Sequence, residues 1–147
     1  VLMRELEGLH EQYARLESVI SELAVPVVPL LDGVIVLPLV GTIDTRRAQQ
    51  VIESLLTGIA EQQADVAIID ITGVPLVDTQ VASYLGQAIR AASLLGAKVV
   101  LTGIGARIAQ TLVALDIDFS GVLTCANLRE GIEAALALKG LRICAAP

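Results

Sequence analysis

The first 24 residues carry an apolar stripe of the kind found in coiled-coil helices. Leucine, isoleucine and one tyrosine recur at alternating intervals of four and three residues, which is the a/d spacing of a heptad repeat. The stripe consists of Leu2, Leu6, Leu9, Tyr13, Leu16, Ile20 and Leu23. Glutamate and arginine fill many of the positions between them, so the remaining helix surface is polar. The pattern predicts a linker helix over residues 1–24 that pairs with a second copy of the chain. Packing of the stripe against the chain's own domain is the alternative.

From Val25 onward, short apolar runs alternate with amphipathic segments. Two runs rich in β-branched residues flank Asp32-Gly33, a strong hairpin signal, and three later runs also read as strands. The predicted strands are residues 25–31, Val34–Val40, residues 66–71, Lys98–Thr102 and residues 121–124. Apolar positions at helical spacing follow each of the last four runs. The order ββαβαβαβα predicts an α/β domain over residues 25–138, with a mixed sheet of about five strands and later strands in parallel. Residues 139–147 read as a C-terminal tail.

Two loops of this predicted sheet are candidates for function. In parallel sheets, functional loops lie beyond the carboxyl ends of the strands, which places residues 72–78 beside residues 103–106. Asp78 is predicted to cap the next helix, with Thr79 at the first helical position. A phosphate on Thr79 would lie near unpaired backbone N–H groups at the positive helix end. A purely capping role for Thr79 is the alternative.

Composition narrows the class of protein. A chain of 147 residues, 54% of them hydrophobic and 2% aromatic, is the size of one domain with an aliphatic core. The formal charge of −6 and the absence of a basic stripe argue against a nucleic-acid partner. Prolines interrupt the most apolar stretch, residues 23–41, so a membrane helix is not expected there. Cys125 and Cys144 lack metal-ligand spacing and read as reduced thiols of a cytoplasmic protein, with neither metal nor cofactor expected.

Catalytic motifs are missing from the sequence. It contains no G-x-G-x-x-G after the first strand, no Walker A pattern and no G-x-S-x-G elbow. The single histidine, His10, lies outside the predicted α/β domain. Asp70 and Asp78 are two carboxylates near one loop, but such a pair is a weak signal for acid–base chemistry or for a metal. The sequence therefore predicts a protein that is not an enzyme.

Several segments together resemble a known family. The segment DITGVPLVDT at residues 70–79, Gly-Ala-Lys at 96–98 and Ile-Ala-Gln-Thr at 108–111 resemble the STAS domain. This domain occurs in the tails of sulfate transporters and in anti-sigma-factor antagonists. More narrowly, LDGVIVLPLVGTID at residues 31–44 resembles the R-type scaffold proteins of the bacterial stressosome. The resemblance extends from Val25 to about Leu138.

The resemblance implies a function in stress signalling. R-type proteins are co-antagonists in a large cytoplasmic complex with a smaller S-type STAS protein. They hold a T-type serine/threonine switch kinase, which is released when the STAS domains become phosphorylated. The phosphoacceptor of the family carries over to Thr79, and Thr111 is the candidate for a second one. Gly105-Ala106-Arg107 replaces the Arg-Pro-Glu of many relatives, so the second site departs from the family pattern.

The resemblance also implies which residues surround the acceptor and contact the kinase. These are Asp70, Thr72, Gly73, Asp78 and Gly103. Two other functions remain open for a STAS domain: a regulatory module that binds a small ligand such as a nucleotide, and the cytosolic tail of an anion transporter. The transporter tail is disfavoured because residues 1–24 are an acidic heptad segment rather than a basic juxtamembrane stretch.

Overall fold

The computed structural model describes residues 25–141, so the predicted linker helix and residues 142–147 lie outside the described part of the chain. Within residues 25–141, five strands and four helices alternate in the predicted order ββαβαβαβα. The strands are β1 (Val28–Leu31), β2 (Val34–Val40), β3 (Val66–Gly73), β4 (Lys98–Thr102) and β5 (Leu123–Cys125). The helices are α1 (Thr45–Gln62), α2 (Thr79–Leu94), α3 (Ala106–Ala114) and α4 (Leu128–Leu138).

The five strands form one mixed sheet in the order β1-β2-β3-β4-β5. The first two strands are antiparallel, and a tight turn through Gly33, with a φ of 80°, joins them. All later pairings are parallel, because a helix returns the chain to the same end of the sheet before each new strand. The predicted α/β class and mixed five-stranded sheet are confirmed.

Two strands are shorter than the sequence pattern suggests. The first begins at Val28 rather than Val25, and its register with β2 shifts between Pro29 and Leu31. Proline has no backbone N–H to donate to a ladder, so Pro26 and Pro29 weaken pairing at the start of this run. The last strand begins after Gly121, which has a φ of 82° and belongs to the preceding turn.

Apolar side chains pack on both faces of the sheet. The first three helices contribute to the larger core on one face, where Leu55 and Ile108 pack with Ile35, Leu37 and Ile69. The last helix covers part of the other face through a smaller cluster of Val34, Val36, Val66, Ile68, Val100 and Ala135. Burial of each large aliphatic side chain contributes about 1.5–3 kcal/mol. β3 lies in the centre of the sheet, between the two clusters of apolar side chains. This packing positions the ends of the strands that carry the candidate site.

Candidate functional site

Three loops meet at the carboxyl ends of β2, β3 and β4. We call residues 41–44, 72–78 and 103–105 the rim. The backbone N–H of Gly41 donates to the carbonyl of Gly73 at 2.9 Å, which ties the first loop to the second. Within the second loop, Val74 and Val77 are buried, whereas Leu76 is half exposed. The loop is therefore anchored to the core at two points and presents its remaining side chains to solvent.

Thr79 lies where the sequence predicts, at the first position of α2. Asp78 caps this helix, because its Oδ1 accepts a hydrogen bond from the backbone N–H of Val81 at 2.8 Å. Thr79 is exposed, and the first turn of the helix contains no acidic residue. Its side chain is thus accessible to a second protein and lies at the positive end of a helix dipole.

Asp70, near the end of β3, accepts several hydrogen bonds. Its Oδ1 accepts from the hydroxyl groups of Thr72 and Thr102, each at 2.7 Å, and from the backbone N–H of Thr72 at 3.4 Å. Asp70 and Thr102 are paired in the parallel register of β3 and β4. The carboxylate of Asp70 therefore joins two strand ends.

Gly103 brings the second and third loops into direct contact. It has a φ of 77°, and a Cβ atom at this position would lie 2.1 Å from Thr72 Oγ1 and 2.7 Å from the Thr72 backbone nitrogen. Only glycine fits such an approach without movement of the neighbouring loop. Gly73 lies against the Val40 side chain, with a Cβ position 3.3 Å from Val40 Cγ2. The predicted neighbourhood of the two loops is confirmed.

Thr111 differs from Thr79 in its surroundings. It lies within α3, is half-buried, and its hydroxyl donates to the carbonyl of Arg107 at 3.1 Å. The N-cap of this helix is Gly105, which has no side chain to cap it. Thr111 is therefore an interior helix residue whose hydroxyl bonds to its own backbone, whereas Thr79 begins a helix.

Thr45 resembles Thr79 more closely, because each is the first residue of a helix that an aspartate caps. Thr45 was not among the site residues predicted from the sequence. Asp44 caps α1 by accepting from the backbone N–H of Arg47 at 2.8 Å, and Thr45 is the first helical residue. The Thr45 hydroxyl donates to Gln80 Oε1 at 3.4 Å, so the first turns of α1 and α2 are in contact. The signal was present in the sequence, because an Asp-Thr pair stands at the start of both helices.

One pocket of the described residues near the rim is small and apolar. A pocket of about 20 Å³ between α1, α2 and the sheet is lined by apolar side chains, among them Leu39, Ile71, Val77 and Tyr84. This volume is close to that of one water molecule. Beside Gly103, the position that a Cβ atom would occupy lies against Thr72, whereas a Cβ on Gly105 would meet no atom within 4 Å. Residues 25–141 also contain no group of three or more His, Cys, Asp or Glu side chains placed to hold a metal ion.

Two other predictions concern membrane helices and dimerisation. In the part of the chain that the structure describes, no helix has both the length and the apolar character needed to cross a membrane. The residues predicted for dimerisation lie outside residues 25–141, and their pairing stays a prediction. They are Leu6, Leu9, Tyr13, Leu16, Ile20 and Leu23.

Comparison with known proteins agrees with this fold. The sequence profile of the STAS domain matches residues 25–135. The chain is 48% identical over 124 residues to the RsbT co-antagonist protein RsbRA of Bacillus subtilis strain 168, a match that covers 84% of this chain and 45% of that protein. The chain thus spans about half the length of that relative.

Solved structures with the same fold include two from stress-signalling proteins. The structure of a point variant of Moorella thermoacetica RsbS superposes with a TM-score of 0.70 at 32% identity, covering 80% of this chain and 98% of that one. A chain described under "Molecular architecture of the stressosome, a signal integration and transduction hub" gives a TM-score of 0.63 at 31% identity. That match covers 78% of this chain and 98% of the stressosome chain.

Proposed function

Because this chain belongs to the STAS-domain family, we propose that it is a non-enzymatic scaffold of a stressosome and acts in stress signalling as an anti-sigma-factor antagonist. The observation that carries this proposal is the 48% identity over 124 residues to an RsbT co-antagonist protein. The exposed Thr79 beside a capped helix end supports the same function.

The proposed partners follow from the same likeness. An S-type STAS protein would associate with this chain, since the R-type proteins that the chain resembles share a complex with such a protein. A second copy would pair through the heptad stripe of residues 1–24, and the assembly would be cytoplasmic. Replacing Leu9 and Leu16 together by Glu is then expected to give a monomer in light scattering. An unchanged dimer would place the main interface on the STAS domain.

We propose that phosphorylation of Thr79 controls release of a T-type switch kinase. A phosphate adds about −1.5 to −2 charges at pH 7. Its interaction with the N-terminus of α2 would be favourable by roughly 0.3–2 kcal/mol, and Asp78 next to it would offset part of this gain. The fold should therefore tolerate the phosphate. A partner that covers the rim would meet two adjacent negative charges, and unfavourable charges at an interface cost several kcal/mol.

A second acceptor is also part of the proposal. The resemblance to R-type proteins indicates Thr111, whereas the geometry favours Thr45. Thr45 follows a capping aspartate, begins a helix and contacts the first turn of α2. A phosphate on Thr111 would have to replace the bond from its hydroxyl to the Arg107 carbonyl at 3.1 Å, and a phosphate on Thr45 would replace the longer bond to Gln80 Oε1 at 3.4 Å. We therefore rank Thr45 above Thr111 as the second site.

The test is reconstitution with the S-type protein and the kinase. Purified chain and S-type protein should co-elute in size-exclusion chromatography, and the complex should bind the kinase more tightly before phosphorylation than after it. The Thr79→Ala variant should keep the kinase bound after incubation with ATP, while the exposed control Thr57→Ala should release it normally. A chain that does not associate with the S-type protein would contradict the scaffold function.

Binding of a small ligand has less support. The pocket between α1, α2 and the sheet is small and apolar. Equilibrium binding of nucleotides to the purified chain separates the two functions, and the scaffold proposal predicts no saturable binding. As a protein that is not an enzyme, the chain should also hydrolyse no nucleotide. Activity that Asp70→Asn abolishes would contradict this expectation.

A further inference from the structure

Thr102 is an unusual residue within the described part of the chain. It is the one buried polar side chain in residues 25–141, with none of its surface exposed. A buried hydroxyl group without a hydrogen-bond partner costs about 1–3 kcal/mol, so such a group is retained where it has a defined partner. Thr102 lies at the last position of β4, next to the rim.

The hydroxyl of Thr102 is linked through hydrogen bonds to the loop that precedes Thr79. It donates to Asp70 Oδ1 at 2.7 Å, and the same oxygen accepts the hydroxyl of Thr72 at 2.7 Å and its backbone N–H at 3.4 Å. Thr72 in turn lies against Gly103, the residue after Thr102. The buried hydroxyl therefore holds the Asp70 carboxylate on one side, and that carboxylate holds the start of the loop on the other.

The methyl group of Thr102 fixes the direction of this hydroxyl. A Cβ atom on Gly131 of α4 would lie 2.3 Å from Thr102 Cγ2, so the methyl group packs directly on the helix at a residue without a side chain. A β-branched side chain has few favourable χ1 rotamers. With its methyl group against α4, the Thr102 hydroxyl points to Asp70 and has little freedom to turn away.

We propose that Thr102 is a positioning residue for the phosphoacceptor loop, residues 72–78. Acting through Asp70, it holds this loop in the conformation that presents Thr79. The inference rests on the proposed role of Thr79 for its functional meaning, while the structural link itself does not depend on that role.

Amide hydrogen exchange on the unmodified chain tests the structural link. Thr102→Val keeps the shape and the methyl group but removes the hydroxyl, whereas Thr102→Ser keeps the hydroxyl. In Thr102→Val, exchange at Val74, whose N–H bonds to the Ile71 carbonyl, should be about tenfold faster, as expected for loss of a charge-assisted hydrogen bond. Exchange at Leu55 in α1 should be unchanged. Thr102→Ser keeps the hydroxyl but lacks the methyl group that restrains it, so its exchange at Val74 should lie between those of the wild type and Thr102→Val.

Phosphorylation kinetics test the functional meaning. With the cognate kinase, Thr102→Val should lower kcat for modification of Thr79 by about tenfold with little change in KM, because the acceptor is misplaced in the bound complex. Thr102→Ser, which regains the hydroxyl without the restraining methyl group, should restore part of the rate. Asp70→Asn tests the same link from its other end and should lower kcat in the same way.

The two experiments test the structural link through Thr102 separately from the phosphorylation of Thr79. If wild-type Thr79 receives no phosphate, the proposed function fails, and the exchange comparison still decides the structural link. Unchanged exchange at Val74 in both Thr102→Val and Asp70→Asn would overturn the inference. Equal acceleration at Val74 and Leu55 would also overturn it, because the substitution would then act on the stability of the whole domain.

Discussion

Substitution of Gly103 by alanine tests the close contact of the two rim loops. Two costs coincide at this position. The φ of 77° lies in the left-handed region, which costs a residue with a Cβ atom about 1–2 kcal/mol. The added Cβ would also lie 2.1 Å from Thr72 Oγ1 and 2.7 Å from Thr72 backbone atoms, and such overpacking costs about 1–3 kcal/mol.

Together these costs predict that Gly103→Ala lowers the free energy of unfolding by about 2–4 kcal/mol, after allowance for the smaller entropy of the unfolded chain. Two other glycines serve as matched controls. Gly96 and Gly121 have φ values of 86° and 82°, but a Cβ at either would meet no atom within 4 Å. Alanine at these positions should therefore cost only the backbone strain, about 1 kcal/mol each.

Urea denaturation followed by circular dichroism measures all three variants. An unchanged m-value would show that the cost belongs to stability and not to a change in the unfolded state. If Gly103→Ala costs no more than Gly96→Ala, the two loops do not approach as closely as described. The contact between residue 103 and Thr72, on which the geometry of the rim depends, would then be wrong.

Three further predictions concern stability. Asp78→Ala should lower the free energy of unfolding by about 1 kcal/mol, because the cap of α2 is lost, whereas Asp78→Asn keeps a good cap and should be nearly neutral in urea denaturation. Leu55→Ala removes a fully buried side chain from the larger core and should cost about 2–5 kcal/mol in the same assay, and a cost below about 1 kcal/mol would contradict this packing. Phosphorylation of Thr79 should shift Tm by only a few degrees in thermal denaturation, since the favourable helix dipole and the repulsion from Asp78 partly cancel. Unfolding of the phosphorylated domain would refute the charge-switch mechanism.

Much of the fold could be predicted from hydrophobic periodicity. The last helix, Leu128–Leu138, follows the last predicted strand as expected, because its apolar spacing is regular and Asn127 provides a capping side chain. The central strands are continuous apolar runs, as expected for strands covered on both faces. The start of β1 and the start of β5 were harder to predict. Proline shortens the first and a left-handed glycine the second, and both effects depend on which backbone groups form hydrogen bonds.

Only part of the candidate site could be predicted from the sequence. The Asp78 cap and the exposed first helical position of Thr79 follow from local signals at a helix start. The role of Thr102 could not be found this way, because it depends on the register that places Thr102 beside Asp70 and on the packing of Gly131. Sequence spacing alone does not supply the register between strands that are separated by a helix.

The most direct test of the central claim is mass-spectrometric mapping of phosphate on the chain after incubation with a T-type switch kinase and ATP. The account predicts that phosphate accumulates on Thr79 and that Thr79→Ala loses the modification, while Thr111→Ala keeps it. A chain that is modified only at other residues, or whose modification does not change in Thr79→Ala, would contradict the assignment of Thr79 as the phosphoacceptor.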